Sequence, residues 1–417
     1  MATGTKMSLN ATWSMAVGGM VGGGIFSVLG VVIHTAGRWA WLSFLIAGVI
    51  ALISAHSYSQ LSIKHRESGG AFVYLRKRER HAFAGSLSWV LILGYMLTIS
   101  VYAFTFGEYV AHVFHAGPWL PRVLSLAVIA GFTALNLRGV GDIARTEIVT
   151  VYGKLIVLLG LAAFGLWQWK PAALSASAEP KHWYASLVGA ATVFMAYEGF
   201  QLLSYAYRDM ERPEVTLPRA NILAVLAVIA VYILVSLGAA MLVGAQALVE
   251  HREVALAIAG QQALGMSGLV LVTVAAAFST GSAINATLFS TSRLMQSVSE
   301  GDELPPVFAK LNAAEVPHYA IGFIGAAAAL LAILGNLGTL VDAASLIFLF
   351  TFGVVNLIAF QEMVRGAVLC LLGAVACAIA IVVACIEQFR QAPFVMGAMT
   401  LFVVLVFVGR RWLLGKL

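Results

Sequence analysis

The sequence predicts an all-α membrane protein with twelve transmembrane helices, and three observations indicate this fold class. Hydrophobic residues make up 61% of the chain and charged residues 11%, against roughly 25% charged residues in a typical soluble protein. The mean hydropathy is +0.92, so these residues cannot build a water-facing surface around so large a core. Apolar runs with the length that crosses a bilayer recur along the whole chain.

A bilayer core needs about 20 apolar residues per helix, and twelve runs in the sequence approach or exceed that length. The stretch 248–264 is too polar to span and predicts an external loop with a short helix. We therefore predict a single transmembrane domain over residues 1–417. The predicted spans cover residues 11–33, 40–63, 87–114, 120–137, 144–166, 185–207, 219–244, 267–295, 318–337, 340–360, 366–386 and 394–409.

The distribution of Lys and Arg predicts the orientation of the spans, because cytoplasmic loops carry an excess of positive charge. With a cytoplasmic N-terminus, 18 of the 25 basic residues fall in inner loops and six fall in outer loops. Both termini are therefore predicted to be cytoplasmic, in the cell (cytoplasmic or inner) membrane. The net charge of +6 comes from these short loops and does not indicate a nucleic-acid partner.

The sequence carries no motif that indicates an enzyme or a cofactor site. No run follows a Walker loop or a Rossmann fingerprint, and there is no nucleophile elbow and no His/Glu metal spacing. Cys370, Cys377 and Cys385 lie seven and eight residues apart in one apolar run, on one helix face. This spacing predicts packing, and neither a disulfide framework nor a metal site.

Two predicted spans carry a helix-weakening sequence near their middle. The first contains the run GGMVGGGIF (18–26), and the sixth contains the pair Glu198–Gly199. Matching interrupted helices are typical of transporters built from inverted repeats, in which freed backbone groups bind the substrate at the membrane midplane. The two halves of five spans, followed by two additional helices, would cover 11–166, 185–360 and 366–409.

The glycines of the first span also admit another interpretation. Gly18 and Gly22, and likewise Gly19 and Gly23, fit the small-xxx-small pattern that lets two membrane helices pack closely. The match with the sixth span and the charges near the midplane favour a binding site over packing alone.

Lys154 and Glu198 are the two charged residues predicted near the midplane. Lys154 is about 16 Å of helix from either end of its span, so its side chain cannot reach the membrane surface. An unpaired charge there costs at least about 2.5–3.5 kcal/mol, so a partner is required. The two residues could pair with each other. Alternatively, Lys154 could release a proton because burial favours the neutral amine, and Glu198 could carry a second proton or bind a cationic substrate.

Four stretches of the chain resemble the amino acid–polyamine–organocation (APC) superfamily, whose members share the LeuT fold of five-plus-five inverted repeats. They are SMAVGGMVGGGIFSVLG (14–30), LNLRGVGDIARTEIVTVYGKLIVL (135–158), FMAYEGFQLLSYAYRDMERPEVTLPRA (194–220) and SAINATLFSTSRLMQSVSEGDELPPVFAKLN (282–312). The likeness extends to proton-coupled, broad-specificity amino acid transporters. In that group a lysine of the fifth helix stands where sodium-driven relatives hold an ion, and Lys154 is at the matching position.

The resemblance implies a set of site residues and no cofactor beyond a proton gradient, with no sodium. The Lys154 amine would contact the carbonyl of Gly18 and a hydroxyl of span eight, from Ser279, Thr280 or Ser282. The amides of Gly22, Gly23, Gly24 and Ile25 would bind the substrate carboxylate, and carbonyls near Val21 and from Met195 to Glu198 would bind its amino group. Tyr197 or Phe200 would close over the substrate, and Asn285 or Tyr102 would line the pocket for its side chain.

The predicted function is therefore secondary active transport of amino acids with protons by alternating access. The alternatives are a carrier of polyamines or cationic amino acids that uses Glu198, an amino acid exchanger, and a nutrient sensor that binds without transport. Against the sensor, the longest cytoplasmic stretch, 64–86, is too short for a signalling domain. The predicted partners are a small amino acid or amine and membrane lipid.

Overall fold

The computed structural model describes residues 6–68, 70–76, 81–114, 117–139, 143–175, 181–391 and 393–409. In these ranges the chain is helical without β-strands, and one isolated β-bridge joins Met7 to Met210. The helices are α1 (Leu9–Ala36), α2 (Ala40–His65), α3 (Gly70–Arg76), α4 (His81–Phe114), α5 (Leu120–Leu137), α6 (Ile143–Trp167), α7 (Ala185–Thr192), α8 (Pro213–Glu250), α9 (Ala255–Leu264), α10 (Met266–Glu300), α11 (His318–Leu334), α12 (Leu337–Gln361), α13 (Ala367–Gln391) and α14 (Pro393–Val404). Two 3-10 segments, Val193–Tyr197 and Phe200–Asp209, continue α7.

The helices confirm an all-α protein that crosses the membrane many times. Nine stretches of the described chain are long and apolar enough to span, and the first, Leu9–His65, contains both α1 and α2. The apolar helix α11 is shorter, and α14 overlaps the last predicted span. Each of the twelve predicted spans therefore overlaps a helix. The division of these helices into two inverted halves stays a prediction.

Helix boundaries follow the capping groups and glycines of the sequence. Ser8 accepts a hydrogen bond from the N–H of Ala11 at the start of α1, and Asn336 accepts one from Thr339 at the start of α12. The predicted end of the seventh span coincides with Gly244, where a φ of 80° interrupts α8 before its last turns. The polar stretch after α8 contains the short helix α9, as predicted, whereas α3 was not predicted.

The predicted break of the first span is wrong, because α1 is helical without interruption from Leu9 to Ala36. Its glycines serve close packing instead, as the alternative interpretation predicted. A Cβ on Gly19 would lie 2.9 Å from the Cα of Gly199, and one on Gly23 would lie 1.9 Å from the ring of Tyr102. Glycine lowers helix stability without forbidding the helix, so tertiary contacts determine whether such a run unwinds.

The predicted break of the sixth span is confirmed at Glu198–Gly199. Glu198 is extended, with a ψ of 135°, and Gly199 has a φ of 141°, a conformation that residues with a Cβ rarely adopt. The two 3-10 segments end and begin at this point. The interrupted segment packs against α1, with the backbone of Gly199 directly on that of Gly19.

α1 lies at the centre of the molecule and contacts α4, α6, α8 and α10 as well as the interrupted segment. Its residues from Ala16 to Ile33 are buried throughout. Before α1, the N–H of Met7 donates to the carbonyl of Asp209, and Met7 accepts from the N–H of Glu211. Within α1, the ring of Trp13 lies 5.9 Å from that of Tyr152 on α6. The start of α1 is thus tied both to α6 and to the end of the interrupted segment.

Candidate functional site

Three carbonyl groups in the glycine-rich part of α1 accept hydrogen bonds from side chains of three other helices. The Nζ of Lys154 on α6 donates to Gly18 at 3.1 Å. The hydroxyl of Tyr232 on α8 lies 2.7 Å from the carbonyl oxygen of Met20, and Ser279 on α10 donates to that of Val21 at 2.9 Å. α1 remains helical, and in its glycine-rich part three of its carbonyl groups also accept hydrogen bonds from side chains of other helices.

Lys154 is buried, with 3% of its surface exposed, although its neighbour Gly153 on α6 is exposed. Its side chain therefore points from α6 towards α1. The three hydroxyls predicted near the amine all lie on α10, and the contacts of two of them are defined. Ser279 bonds Val21, Thr280 donates to carbonyls of its own helix, and Ser282 is half-buried on α10.

Glu198 lies at the break of the sixth span and is almost completely buried, with 1% exposed. Gln201 donates from Nε2 to the Glu198 carboxylate at 2.9 Å, and the hydroxyl of Tyr102 donates to its other oxygen at 3.4 Å. Between these two described residues, Lys154 and Glu198, there is no ion pair. Of the two orientations that the sequence left open, Glu198 faces Tyr102 and Gln201.

Gln201 also holds the interrupted backbone. Its Oε1 accepts the N–H of Gly199 at 2.8 Å, so one amide group joins the freed backbone N–H to the buried carboxylate. On the other side of the break, Ser345 of α12 accepts the N–H of Met195 at 3.0 Å and donates to the carbonyl of Thr192. Side chains thereby bond backbone groups at the interruption, as a non-polar environment requires.

Tyr232 joins the two halves of the site. Its hydroxyl lies 2.7 Å from the carbonyl oxygen of Met20 and 2.8 Å from that of Ala196, one residue before Tyr197. The sequence analysis missed Tyr232, because a single tyrosine in the apolar run AVLAVIAVYILVSLG carries no signal. Gln201 could have been found as a polar residue three positions after a buried glutamate.

Of the remaining predicted residues, some lie in the cluster formed by Glu198, Gln201 and Tyr232, and others lie in other parts of the fold. Tyr102 lies in the cluster, with its ring against Gly23. The hydroxyl of Tyr197 donates to Phe44 of α2 at 2.7 Å. Phe200 packs on Phe352 with ring centroids 5.2 Å apart.

Asn285 accepts a hydrogen bond from Asn136 of α5 at 2.7 Å, so this amide faces α5. The amides of Gly22, Gly23, Gly24 and Ile25 belong to the continuous helix α1. In this conformation no unwound turn releases these amides, and their role in binding a carboxylate stays a prediction.

A buried lysine, a buried glutamate and an interrupted helix at the centre of a many-helix membrane protein are typical of a transporter for small molecules. The comparisons agree with this class. A family profile described as amino acid permease matches residues 7–408. The chain therefore belongs to the amino acid permease family of the APC superfamily.

The chain is similar to several curated transporters. It is 31% identical to an inner membrane transport protein of Escherichia coli (strain K12) over 302 residues, covering 71% of this chain and 70% of that protein. It is 26% identical to the serine/threonine exchanger of Bacillus subtilis (strain 168) over 298 residues, covering 70% and 67%. It is 25% identical to the large neutral amino acids transporter small subunit 2 of Mus musculus over 367 residues, covering 84% and 68%.

Proposed function

We propose that this protein is a secondary active transporter that carries amino acids into the cell together with protons. The substrate would bind between α1 and the interrupted segment, and the two sides of the membrane would gain access alternately. Amino acid as the substrate class is supported by the family and by the names of two relatives, an exchanger of serine and threonine and a transporter of large neutral amino acids.

The observation that carries proton coupling is the contact between the Lys154 amine and the carbonyl of Gly18. A protonated amine makes a charge-assisted bond to this carbonyl, which ties α6 to α1. Loss of the proton removes the charge and weakens that tie, because a neutral amine is a poorer donor. Proton release from Lys154 and movement of α1 would therefore be coupled through this one hydrogen bond.

The substrate amino group would bind carbonyls of α1 and of the interrupted segment, near Val21 and Ala196. Its carboxylate would need backbone amides of α1, from Gly22 to Ile25, which become free only when a turn of α1 unwinds. Each glycine there makes the helix about 1 kcal/mol less stable than alanine would. The glycine run therefore lowers the cost of an unwound, substrate-bound form.

The test is uptake of a labelled amino acid mixture into sodium-free proteoliposomes, with and without an inward proton gradient. We expect gradient-dependent accumulation without sodium, because the Lys154 amine occupies the helix-1 carbonyl that a sodium ion would need. Lys154→Ala is expected to abolish accumulation while amino acids still bind. Lys170→Ala, an exposed lysine beyond the end of α6, is the matched control and should transport normally. Accumulation driven by the gradient in Lys154→Ala would contradict the coupling role.

The same vesicles separate the alternatives. Flux that occurs only into vesicles preloaded with amino acid would indicate an exchanger, as the name of the Bacillus subtilis relative suggests for that protein. Binding without flux under either condition would indicate a sensor.

A further inference from the structure

The hydroxyl of Tyr232 lies between two carbonyl groups that belong to different elements. It is 2.7 Å from the oxygen of Met20 on α1 and 2.8 Å from the oxygen of Ala196 before the break. Tyr232 is fully buried, and its ring packs against those of Phe44 and Tyr197 with centroids 5.2 and 5.3 Å away. The hydroxyl is therefore contributed by a third element, α8, while its ring packs on α2 through Phe44 and on the interrupted segment through Tyr197.

The number of protons does not match the number of acceptors. A tyrosine hydroxyl has one O–H, so it can donate fully to only one of the two carbonyls at a time. The Gly199 N–H, which a continuing 3-10 helix would direct to Ala196, instead bonds Gln201 at 2.8 Å. The Ala196 carbonyl therefore depends on a shared donor.

Gly24 creates the space in which these groups meet. A Cβ at Gly24 would lie 2.4 Å from the Tyr232 hydroxyl and 2.9 Å from the Ala196 oxygen. Any larger residue would push the interrupted segment and α8 away from α1. The missing Cβ at Gly24 thus lets the Tyr232 hydroxyl and the Ala196 carbonyl approach α1 closely.

We propose that the Tyr232 hydroxyl is an internal substitute for the ammonium group of the substrate. A primary ammonium has three N–H donors, so it can satisfy both the Met20 and the Ala196 carbonyls, which the hydroxyl cannot. The substrate therefore displaces the hydroxyl when it binds, and the hydroxyl returns to hold α1 and the interrupted segment together when the site is empty. This inference rests on the proposed amino acid substrate, and it assigns to Tyr232 control over the affinity for primary and secondary amines.

The first experiment compares binding of L-serine and L-leucine to the purified full-length protein, to Tyr232→Phe and to Tyr109→Phe by calorimetry. In Tyr232→Phe the ligand has no hydroxyl to displace, so binding should become roughly three- to tenfold tighter, the equivalent of one net hydrogen bond. Tyr109→Phe is the matched control, because this buried hydroxyl also donates to a carbonyl of α1, Phe26 at 3.2 Å, without contacting the interrupted segment. Its affinity should be unchanged.

Weaker binding in Tyr232→Phe, with a melting temperature within the range of the control, would overturn the proposal, because it would mean that the hydroxyl supports the ligand. Binding of N,N,N-trimethyl-serine as tightly as L-serine to the unchanged protein would also overturn it, since a quaternary group has no N–H to donate. Failure of both amino acids to bind any of the three proteins would contradict the proposed substrate class and this inference with it.

A second measurement does not depend on removing the hydroxyl. 3-Fluorotyrosine introduced at position 232, and separately at position 109, reports the surroundings of each ring by fluorine NMR. Saturating L-serine should shift the resonance of position 232 and leave that of position 109 in place. Binding without a shift at position 232 would show that the hydroxyl stays where it is, and would overturn the proposal.

Discussion

At the residue scale, Lys154 and Glu198 have different surroundings although both are buried ionisable residues within predicted membrane spans. Lys154 bonds a backbone carbonyl of α1, whereas Glu198 accepts hydrogen bonds from two neutral side chains. Each therefore has polar partners of its own and neither relies on the other. A mutual ion pair would make the protonation of each residue depend on the other, and these two residues form none.

Glu198→Gln tests whether the carboxylate is needed for neutral substrates. The new amide oxygen can still accept the Gln201 hydrogen bond, so we expect uptake of labelled L-serine to stay within roughly threefold of the unchanged protein. Glu300→Gln is the control, because this exposed carboxylate also accepts a hydrogen bond from a glutamine, at 2.8 Å. Abolished serine uptake in Glu198→Gln alone would contradict the expectation. Competition by putrescine that disappears in this variant would support the amine-carrier alternative.

Gln201→Ala is expected to destabilise the protein strongly. The substitution removes the partner of the Gly199 N–H and one of the two donors to the Glu198 carboxylate, and a buried group left unsatisfied costs about 1–3 kcal/mol. The check is the melting temperature of the purified variant in detergent. Gln246→Ala removes an exposed hydrogen bond to Glu250 of the same 2.9 Å length and should cost less than about 0.5 kcal/mol. Equal melting temperatures for the two variants would refute the bridging role of Gln201.

Sequence reasoning identified the buried charges but not the side chains that bond them. Lys154 and Glu198 stand out because a charge inside an apolar run is costly wherever it occurs. Gln201 and Tyr232 matter because tertiary packing brings them to particular backbone groups, and no local pattern encodes that proximity. The hydroxyl residues of α10 illustrate the same limit, since Ser279 reaches α1 while Thr280, one residue later, bonds its own helix.

At the element scale, the two glycine-containing spans behave differently. The sequence predicts a break in both, yet only the sixth span is interrupted. In that span, Gly199 adopts a positive φ and Gln201 supplies a replacement partner for the freed N–H. α1 keeps its own helical bonds and receives additional donors at three carbonyls. Composition therefore indicates where a helix can open, and neighbouring donors determine whether it does.

Gly199→Ala tests the importance of the interruption itself. A Cβ at this residue would lie 2.5 Å from the backbone nitrogen of Met20, and a φ of 141° is strained for alanine. We expect a loss of about 2–4 kcal/mol of stability, seen as a lower melting temperature. Gly131→Ala on α5 meets nothing within 4 Å and should be neutral or stabilising by up to about 1 kcal/mol. A Gly199→Ala variant as stable as Gly131→Ala would contradict the packing of α1 on the break.

At the scale of the whole molecule, hydropathy predicted the spans well. In lipid, the backbone N–H and C=O groups of each spanning segment must form hydrogen bonds within that segment. An apolar run of sufficient length therefore forms a helix. The helices extend past the predicted spans where polar residues continue the same hydrogen-bond pattern, as α8 does from Pro213 to Glu250. The short helix α3 lies between two predicted spans, where this constraint does not apply, and it was not predicted.

The contact of Trp13 with Tyr152 gives the protein an intrinsic optical reporter. Trp13 lies on α1, and Tyr152 lies on α6 two residues before Lys154, so the pair spans the two helices that the lysine joins. In a variant in which all tryptophans except Trp13 are replaced by phenylalanine, the fluorescence emission of Trp13 would change when α1 and α6 separate. Proton release and substrate binding would then be visible as changes in fluorescence, without any label attached to the chain.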